Sequence, residues 1–376
     1  MLLDEEHRLI QETMRAFARE RLAPGAAQRD RDSAFPREEI AALGELGALG
    51  IVVPERWGGA GLDTLASAIT LEEIAAGDAA VSTILSVQNL DCGILNAFAT
   101  DEQKARFLVP LARGEKLGCF CLTEPSVGSD AGAISTRAER RGDRYAISGV
   151  KQFITSGKNA DLAIVFAVTD KDAGKRGISA FVVDTGTPGF VVARVEDKVG
   201  QRSSDTAQIL FEACEVPVEN RLGDEGQGYR IALANLEAGR INIGAQSVGM
   251  ARAAFEAALA YAHERHAFGQ PIFEHQAVNF RLADMAVEIE AARQLVWHAA
   301  ALRTAGEPCL KEASMAKLFA SEMAERVCSA AIQVHGGYGY VNDFPVERIW
   351  RDVRICQIYE GTSDIQRMLI GRSLAA

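Results

Sequence analysis

The chain has 376 residues, 48% hydrophobic and 24% charged, the composition of a globular protein with apolar surface enough for two or three packed regions. Forty basic against fifty-one acidic residues give a net charge of −11, which argues against an electrostatic grip on nucleic acid or anionic lipid. No apolar run reaches bilayer length, the opening Met1-Leu2-Leu3-Asp4-Glu5-Glu6 is acidic where a signal peptide is basic, and seven scattered cysteines form no C-x-x-C pair; a cytoplasmic protein with reduced thiols, no metal and no membrane segment is expected.

From Leu3 to about Leu117 apolar residues return every three or four positions, as at Leu9, Ile10, Met14 and Phe17, which predicts helices. Asp4 is suited to cap the first. Pro36 stands just ahead of a helical stretch over Arg37 to Leu49, and Pro54 with Gly58, Gly59 and Gly61 predicts a loop. Helices resume over Leu65 to Ala76 and Ala79 to Phe98. From Gly118 the pattern changes to short β-branched runs at Arg144 to Ser148, Leu162 to Val168, Ile178 to Val183 and Ala207 to Phe211. With no helix-length pattern between them, they predict a compact antiparallel barrel or sandwich. Beyond Gly226, Ala-rich amphipathic stretches over Tyr229 to Glu264, His275 to Thr304 and Leu310 to His335 predict an antiparallel bundle. The expected class is α+β, in three domains: residues 1–117 all-helical, 118–225 β, and 226–376 a helical bundle.

Four segments carry residue types suited to chemistry. Phe120 to Gly132 (Phe-Cys-Leu-Thr-Glu-Pro-Ser-Val-Gly-Ser-Asp-Ala-Gly) lets backbone donors approach a phosphate or polar ring, although a capped interdomain loop has the same composition. The strand and helix context of a G-x-G-x-x-G dinucleotide site is absent. Val150 to Gly157 offers the Phe153 ring beside the Thr155 hydroxyl, a pair able to cover a flat heterocycle and bond its edge; a core Phe beside a turn Thr is the plainer alternative. Gln333 to Tyr340 ends a helix on two glycines, and there the helix dipole explains His335 better than a role as base. Ile358 to Arg367 sets Glu360 beside a glycine and ahead of a Thr/Ser/Asp cap, as in a catalytic loop feeding a helix, while an isolated acid near a cap is ordinarily structural.

Taken in order, these segments resemble the acyl-CoA dehydrogenase family over essentially the whole chain, with further matches at Val199 to Thr206, Leu236 to Ile241, Glu264 to Gly269 and Glu274 to Gln276. The resemblance implies an N-terminal helical domain, a central antiparallel β-barrel-like domain and a C-terminal four-helix bundle, with FAD between the last two. It implies that Phe120, Leu122 and Thr123 line the isoalloxazine, with Gly128 and Ser129 near the pyrophosphate or substrate. Phe153 would stack on the flavin, and Ile154 and Thr155 would contact it, the latter near N5 and O4. Arg265, Phe268, Gln276, Gln333, Val334, Gly336 and Gly337 match positions that reach the FAD of a neighbouring subunit, and Thr362 and Asp364 close around its adenine half. Sites completed across subunits imply a homotetramer, a dimer of dimers.

Glu360 matches the base of most members of that family; a minority place it immediately before the arginine matching Arg240, where this chain has Gly239. The implied reaction converts a short or short branched acyl-CoA to the trans-2-enoyl-CoA, in fatty-acid β-oxidation or branched-chain amino acid catabolism. Glu360 takes the α proton, FAD takes the β hydride, and electrons pass to an electron-transfer flavoprotein. Such a base needs burial to raise its pKa, and the thioester oxygen needs hydrogen-bond donors. Implied substrate contacts are Ser129, Leu236, Glu237, Arg240, Tyr359 and Gly361, with the pocket floor over Val87 to Leu95; Glu237 and Arg240 could equally form an ordinary pair on a helix surface. Two rival readings are a nucleic-acid-binding relative, which would need a basic face, and an acyl-CoA oxidase, which differs in solvent access to the reduced flavin and typically has an additional C-terminal domain.

Overall fold

A computed structural model describes residues 2–375. The first helix, α1 (Glu5–Phe17), starts where Asp4 accepts the His7 N–H at 2.9 Å. α2 (Ala23–Asp32) and α3 (Arg37–Glu45) follow, and α3 stops four residues short of the predicted Leu49. Gly47 adopts a left-handed φ of 73° there and opens a 3-10 turn instead. α4 (Thr64–Gly77) and α5 (Ala79–Phe98) are capped by Asp63 and Asp78 and are buried along most of their length. Short helices α6 (Asp101–Gln103) and α7 (Val109–Ala112) lead into the sheet.

Eight strands make that sheet: β1 (Gly118–Cys121), β2 (Arg137–Arg141), β3 (Arg144–Thr155), β4 (Leu162–Val168), β5 (Ile178–Asp184), β6 (Phe190–Val195), β7 (Thr206–Pro217) and β8 (Arg221–Leu222). Their order is β6-β7-β3-β2-β4-β5-β8, with β1 also paired to β4. Most pairs are antiparallel, but β1 runs parallel to β4, as does β2 at Arg137 opposite Val168. That departs from a purely antiparallel expectation, because the β2–β3 hairpin itself serves as the return connection that a helix would otherwise supply. The β3–β7 register shifts twice, the second time between Lys151 and Ile154.

The last third is helical. The stretch predicted as one helix breaks at Asn235 into α8 (Gly228–Ala234) and α9 (Leu236–Glu264), followed by α10 (Gln276–Thr304), α11 (Leu310–His335), α12 (Val346–Val353) and α13 (Ser363–Leu374). One apolar core joins α4 and α5 to α9, α10 and α11. Within it Glu72 and Glu73 of α4 meet Arg293, Arg252 and Arg15 at 3.0, 2.5 and 2.7 Å, so charges buried between helices are paired. All seven cysteines are free and buried. Among the described residues no helix is long and apolar enough to cross a membrane, and no cluster of His, Cys, Asp or Glu could hold a metal.

Candidate active site

Between α12 and α13 the chain passes through a 3-10 turn (Arg354–Gln357) and then Tyr359, Glu360 and Gly361. Thr362 caps α13 by accepting the Ile365 N–H at 3.4 Å. Glu360 has φ +56° and Gly361 +92°; for a residue with a Cβ that conformation costs on the order of 1–3 kcal/mol, so the surroundings must hold it. Tyr359 donates its hydroxyl to Gln246 Oε1 at 2.7 Å, and Gln246 Nε2 donates to Ser82 Oγ at 2.7 Å and Thr83 Oγ1 at 2.5 Å. Thr83 donates on to Gln201 Oε1 at 2.6 Å, and the Gln201 N–H donates to Asp352. This chain of polar groups ties the turn to α5, α9 and α12.

The Glu360 carboxylate faces α9 at Gly239, where a Cβ would lie 2.7 Å from Oε2. Oε2 is buried and has no hydrogen-bond partner among the described residues. Burial pushes the Glu360 pKa up, against the opposing pull of Lys317 and Arg240. Its N–H donates to no acceptor among the described residues. Beside Gly239 opens a cavity of about 470 Å³ lined by Leu90, Gly93, Asn235, Glu237, Ala238 and Asn242 among others. Leu236 is half-buried and outside that lining. The surface pair of Glu237 with Arg240 does not form: Glu237 pairs with Arg303 at 3.3 Å, whereas Arg240 is buried with Nε unpartnered. Three residues apart on a helix, the two lie on neighbouring positions, but Arg240 turns into the protein.

On the sheet side, the end of β1 is fastened to β3. Gln152 N–H donates to Thr123 O at 2.8 Å, and Lys151 Nζ donates to Leu122 O at 2.9 Å and to Glu124 Oε1 at 2.9 Å. Glu124 also accepts from the Ser135 N–H and hydroxyl, both at 2.7 Å, and from the Thr136 N–H at 2.9 Å. Burial opposes its ionisation, yet Lys151 and these donors prevail and hold its pKa at about 2. At the second β3 bulge Phe153 takes φ +59° and swings out to 62% exposure between buried Gln152 and Ile154, so it is not a core residue. Thr155, half-buried, follows two residues on, and Leu122 and Thr123, also half-buried, belong to the end of β1 fastened to β3, where Phe120 packs on Phe166 at 5.0 Å. The hydroxyls of Thr123 and Thr155 have no partner among the described residues. Gly128 and Ser129 are exposed on the loop that follows.

A third group lies apart on the surface. Arg265, Val334, Gly336 and Gly337 line a hollow of about 590 Å³, where the Arg265 guanidinium stands 5.8 Å from the Tyr338 ring. Phe268, 97% exposed, sits at the tip of the adjacent two-stranded ribbon, and Gln276, Gln333 and Asp364 are exposed while Thr362 is half-buried. His335 is buried, its Nδ1 hydrogen-bonded to Ala331 O at 2.8 Å and its ring stacked on Tyr261, which fits a structural role.

Several residues of this region carried no role in the sequence reading. Lys317 interrupts an apolar run and Lys151 stands beside Gln152, patterns that read as solvated positions until burial is known. Asp91 on α5 is fully buried, pressed against Gly118 of β1, and neither carboxylate oxygen has a partner among the described residues. Burial and the charge of Glu360 push its pKa well up, toward the neutral acid. A Cβ at Gly118 would sit 2.5 Å from Asp91 Oδ2. Gly118→Ala is therefore expected to cost about 1–3 kcal/mol in denaturant unfolding, and Asp91→Ala in the same chain to restore most of it.

Family models for the acyl-CoA dehydrogenase N-terminal, middle and C-terminal domains match residues 4–115, 119–214 and 226–375. The chain is 47% identical over 373 residues to the mitochondrial short-chain specific acyl-CoA dehydrogenase of Rattus norvegicus, a match covering 99% of this chain and 90% of that protein. The butyryl-CoA dehydrogenase structure from Megasphaera elsdenii matches with a TM-score of 0.98 at 42% identity, covering 100% of both chains. A chain from a structure of the electron transferring flavoprotein of Acidaminococcus fermentans matches with a TM-score of 0.98 at 45% identity, covering 100% of this chain and 99% of that one. Three family models in sequence and relatives alike from end to end make this chain a member of the acyl-CoA dehydrogenase family of oxidoreductases.

Proposed function

We propose that the protein is an FAD-dependent dehydrogenase of short acyl-CoA thioesters in which Glu360 removes the α proton. The observation that carries this reading is the unpartnered, buried Oε2 of Glu360 facing Gly239 at the edge of the cavity. A carboxylate deprived of water and hydrogen-bond donors is a stronger base than a solvated one, as removal of a weakly acidic α proton demands. The Glu360 N–H is free to donate to the thioester oxygen as negative charge develops there. Arg240 and Lys317 supply positive charge close by.

The residues on the sheet side suit FAD: an exposed ring at Phe153 for a flat heterocycle, unpartnered hydroxyls at Thr123 and Thr155 for its polar edge, and an open loop at Gly128 and Ser129. Phe120, Leu122 and Ile154 would complete that wall. When bound, FAD supplies the acceptor for the β hydride. Arg265, Phe268, Gln276, Gln333, Val334, Gly336, Gly337, Thr362 and Asp364 would serve an FAD shared between subunits of a homotetramer. Exposed Phe268, Phe280, Val287 and Tyr340 support association, since such rings and branched chains are otherwise left in water. We assign the domains to residues 1–117, 118–225 and 226–376, and an electron-transfer flavoprotein as the electron acceptor, in line with the Acidaminococcus match.

The short-chain assignment rests on the rat and Megasphaera relatives; Leu90 and Gly93 of α5 with Ala238 and Gly239 of α9 would bound the acyl group. Anaerobic bleaching of the flavin by a panel of straight and branched acyl-CoAs tests it: butyryl-CoA or a branched C4–C5 thioester should bleach it fastest. A preference for long chains, or protein that stays colourless after FAD is supplied, would overturn the reading. Gly239→Ala should lower kcat by on the order of a hundredfold, because its methyl group would lie 2.7 Å from Oε2, inside van der Waals contact, and push the base out of place by up to about 1 Å.

A further inference from the structure

We propose that Lys317 and Gln366 are positioning residues, a two-sided clamp that holds the Glu360 turn in its left-handed conformation and sets the charge beneath the base. The inference rests on the reading of Glu360 as the base, but concerns how this chain keeps it in place. Lys317, in the first third of α11, is fully buried, and among the described residues no carboxylate accepts from it. Its Nζ donates instead to two main-chain carbonyls of the turn, Cys356 O at 3.0 Å and Gly361 O at 2.8 Å. From the other side, Gln366 of α13, also fully buried, donates through Nε2 to Gly361 O at 2.8 Å and Glu360 O at 3.3 Å. Gly361 O is thus held from two helices, Glu360 O from α13 and Cys356 O from α11. The left-handed turn they belong to is the one that places Oε2 against Gly239.

A buried ammonium satisfied only by neutral carbonyls is expensive, and an apolar side chain of similar length would pack there at lower cost. Position alone could be held by neutral donors, as Gln366 shows, so the charge calls for its own explanation. Three ionisable side chains from different helices bear on Glu360: Lys317 from α11, Arg240 from α9 and Asp91 from α5. Burial pushes the Asp91 pKa well up, which disfavours its charge, and it pushes the Cys356 thiol and Tyr359 hydroxyl further up from values already above neutrality. Lys317 and Arg240 are the cations that remain. Burial brings the Lys317 pKa down to about 8, so it is largely charged at neutral pH, and its charge opposes the burial that pushes the Glu360 pKa up.

The test compares Lys317→Met, Gln366→Met and Glu360→Gln with wild type. In both clamp variants kcat should fall tenfold or more with KM changed less than threefold, as expected when a base is misplaced while substrate binding is kept. The charge has a separate signature. In Lys317→Met the acid limb of the kcat profile should move up by roughly one pH unit, whereas in neutral-for-neutral Gln366→Met it should stay in place. Infrared titration of 13C-glutamate-labelled protein, taken as the difference from Glu360→Gln, reads the same shift without turnover. A folded Lys317→Met with kcat within threefold of wild type, or with an unmoved Glu360 titration, overturns the proposal. Should Lys317→Met fail to fold, Gln366→Met with kcat within threefold overturns it equally. Near-normal turnover in Glu360→Gln would instead remove the base assignment itself, a distinct failure.

Discussion

Glu360→Gln should reduce turnover by roughly a hundredfold to ten-thousandfold, the range that general-base catalysis contributes, while the fold and the colour of FAD-loaded protein persist. The amide is isosteric, so the packing against Gly239 is kept and the proton acceptor alone is lost. Stability should respond with a definite sign. Burial raises the folded-state pKa of Glu360 above its ordinary value of 4.5, so the folded protein binds a proton more readily than the unfolded chain. The native state is then penalised as pH rises through that interval and the buried group must ionise. The Gln variant lacks the penalty, so its thermal midpoint relative to wild type should climb as pH goes from about 4.5 to neutrality. Near-normal single-turnover rates in this variant would mean that another group takes the proton.

The helices and strands with strong periodicity were legible from the sequence, and the places where it misled have local causes. The span Leu310 to His335 has the observed limits because Gly336 stops it with a left-handed φ of 61°. The break at Asn235 was hidden, since apolar residues on both sides continue one helical pattern while the buried side chain of Asn235 packs beside Gly93. Parallel pairing of β1 was hidden too, because it depends on β2 and β3 folding back as a hairpin, a tertiary fact that strand composition does not carry. At the site, Glu360 stood out through its Gly361 neighbour and the cap that follows, and Phe153 through its position before Thr155. What could not be read were the partners that hold them. Lys151, Lys317, Gln246 and Gln366 look like surface residues, and only three-dimensional burial turns them into supports.

Lys151→Met should be the most destabilising single change in the middle of the chain, by roughly 3–5 kcal/mol in equilibrium denaturation, the cost of stranding one partner of a buried ion pair. The side chains of Lys151 and Glu124 are 0% and 2% exposed, at 2.9 Å, so water cannot replace the lost cation. The Ser135 and Thr136 donors would remain, and a loss below about 1 kcal/mol would show that they alone sustain the Glu124 charge. Acid provides the second measurement. With a folded pKa of about 2 against an ordinary 4.5, Glu124 contributes stability that is fully present above pH 4.5 and is lost as pH falls toward 2. Removing the lysine lifts the folded pKa and shrinks that contribution, so acid unfolding should begin at higher pH in Lys151→Met than in wild type. Because Lys151 also donates to Leu122 O, the variant should loosen the strand end that carries Leu122 and Thr123 and weaken FAD affinity. Pairing it with Glu124→Gln should recover part of the stability but not the Leu122 hydrogen bond, which separates the electrostatic role of the lysine from its hold on the proposed flavin wall.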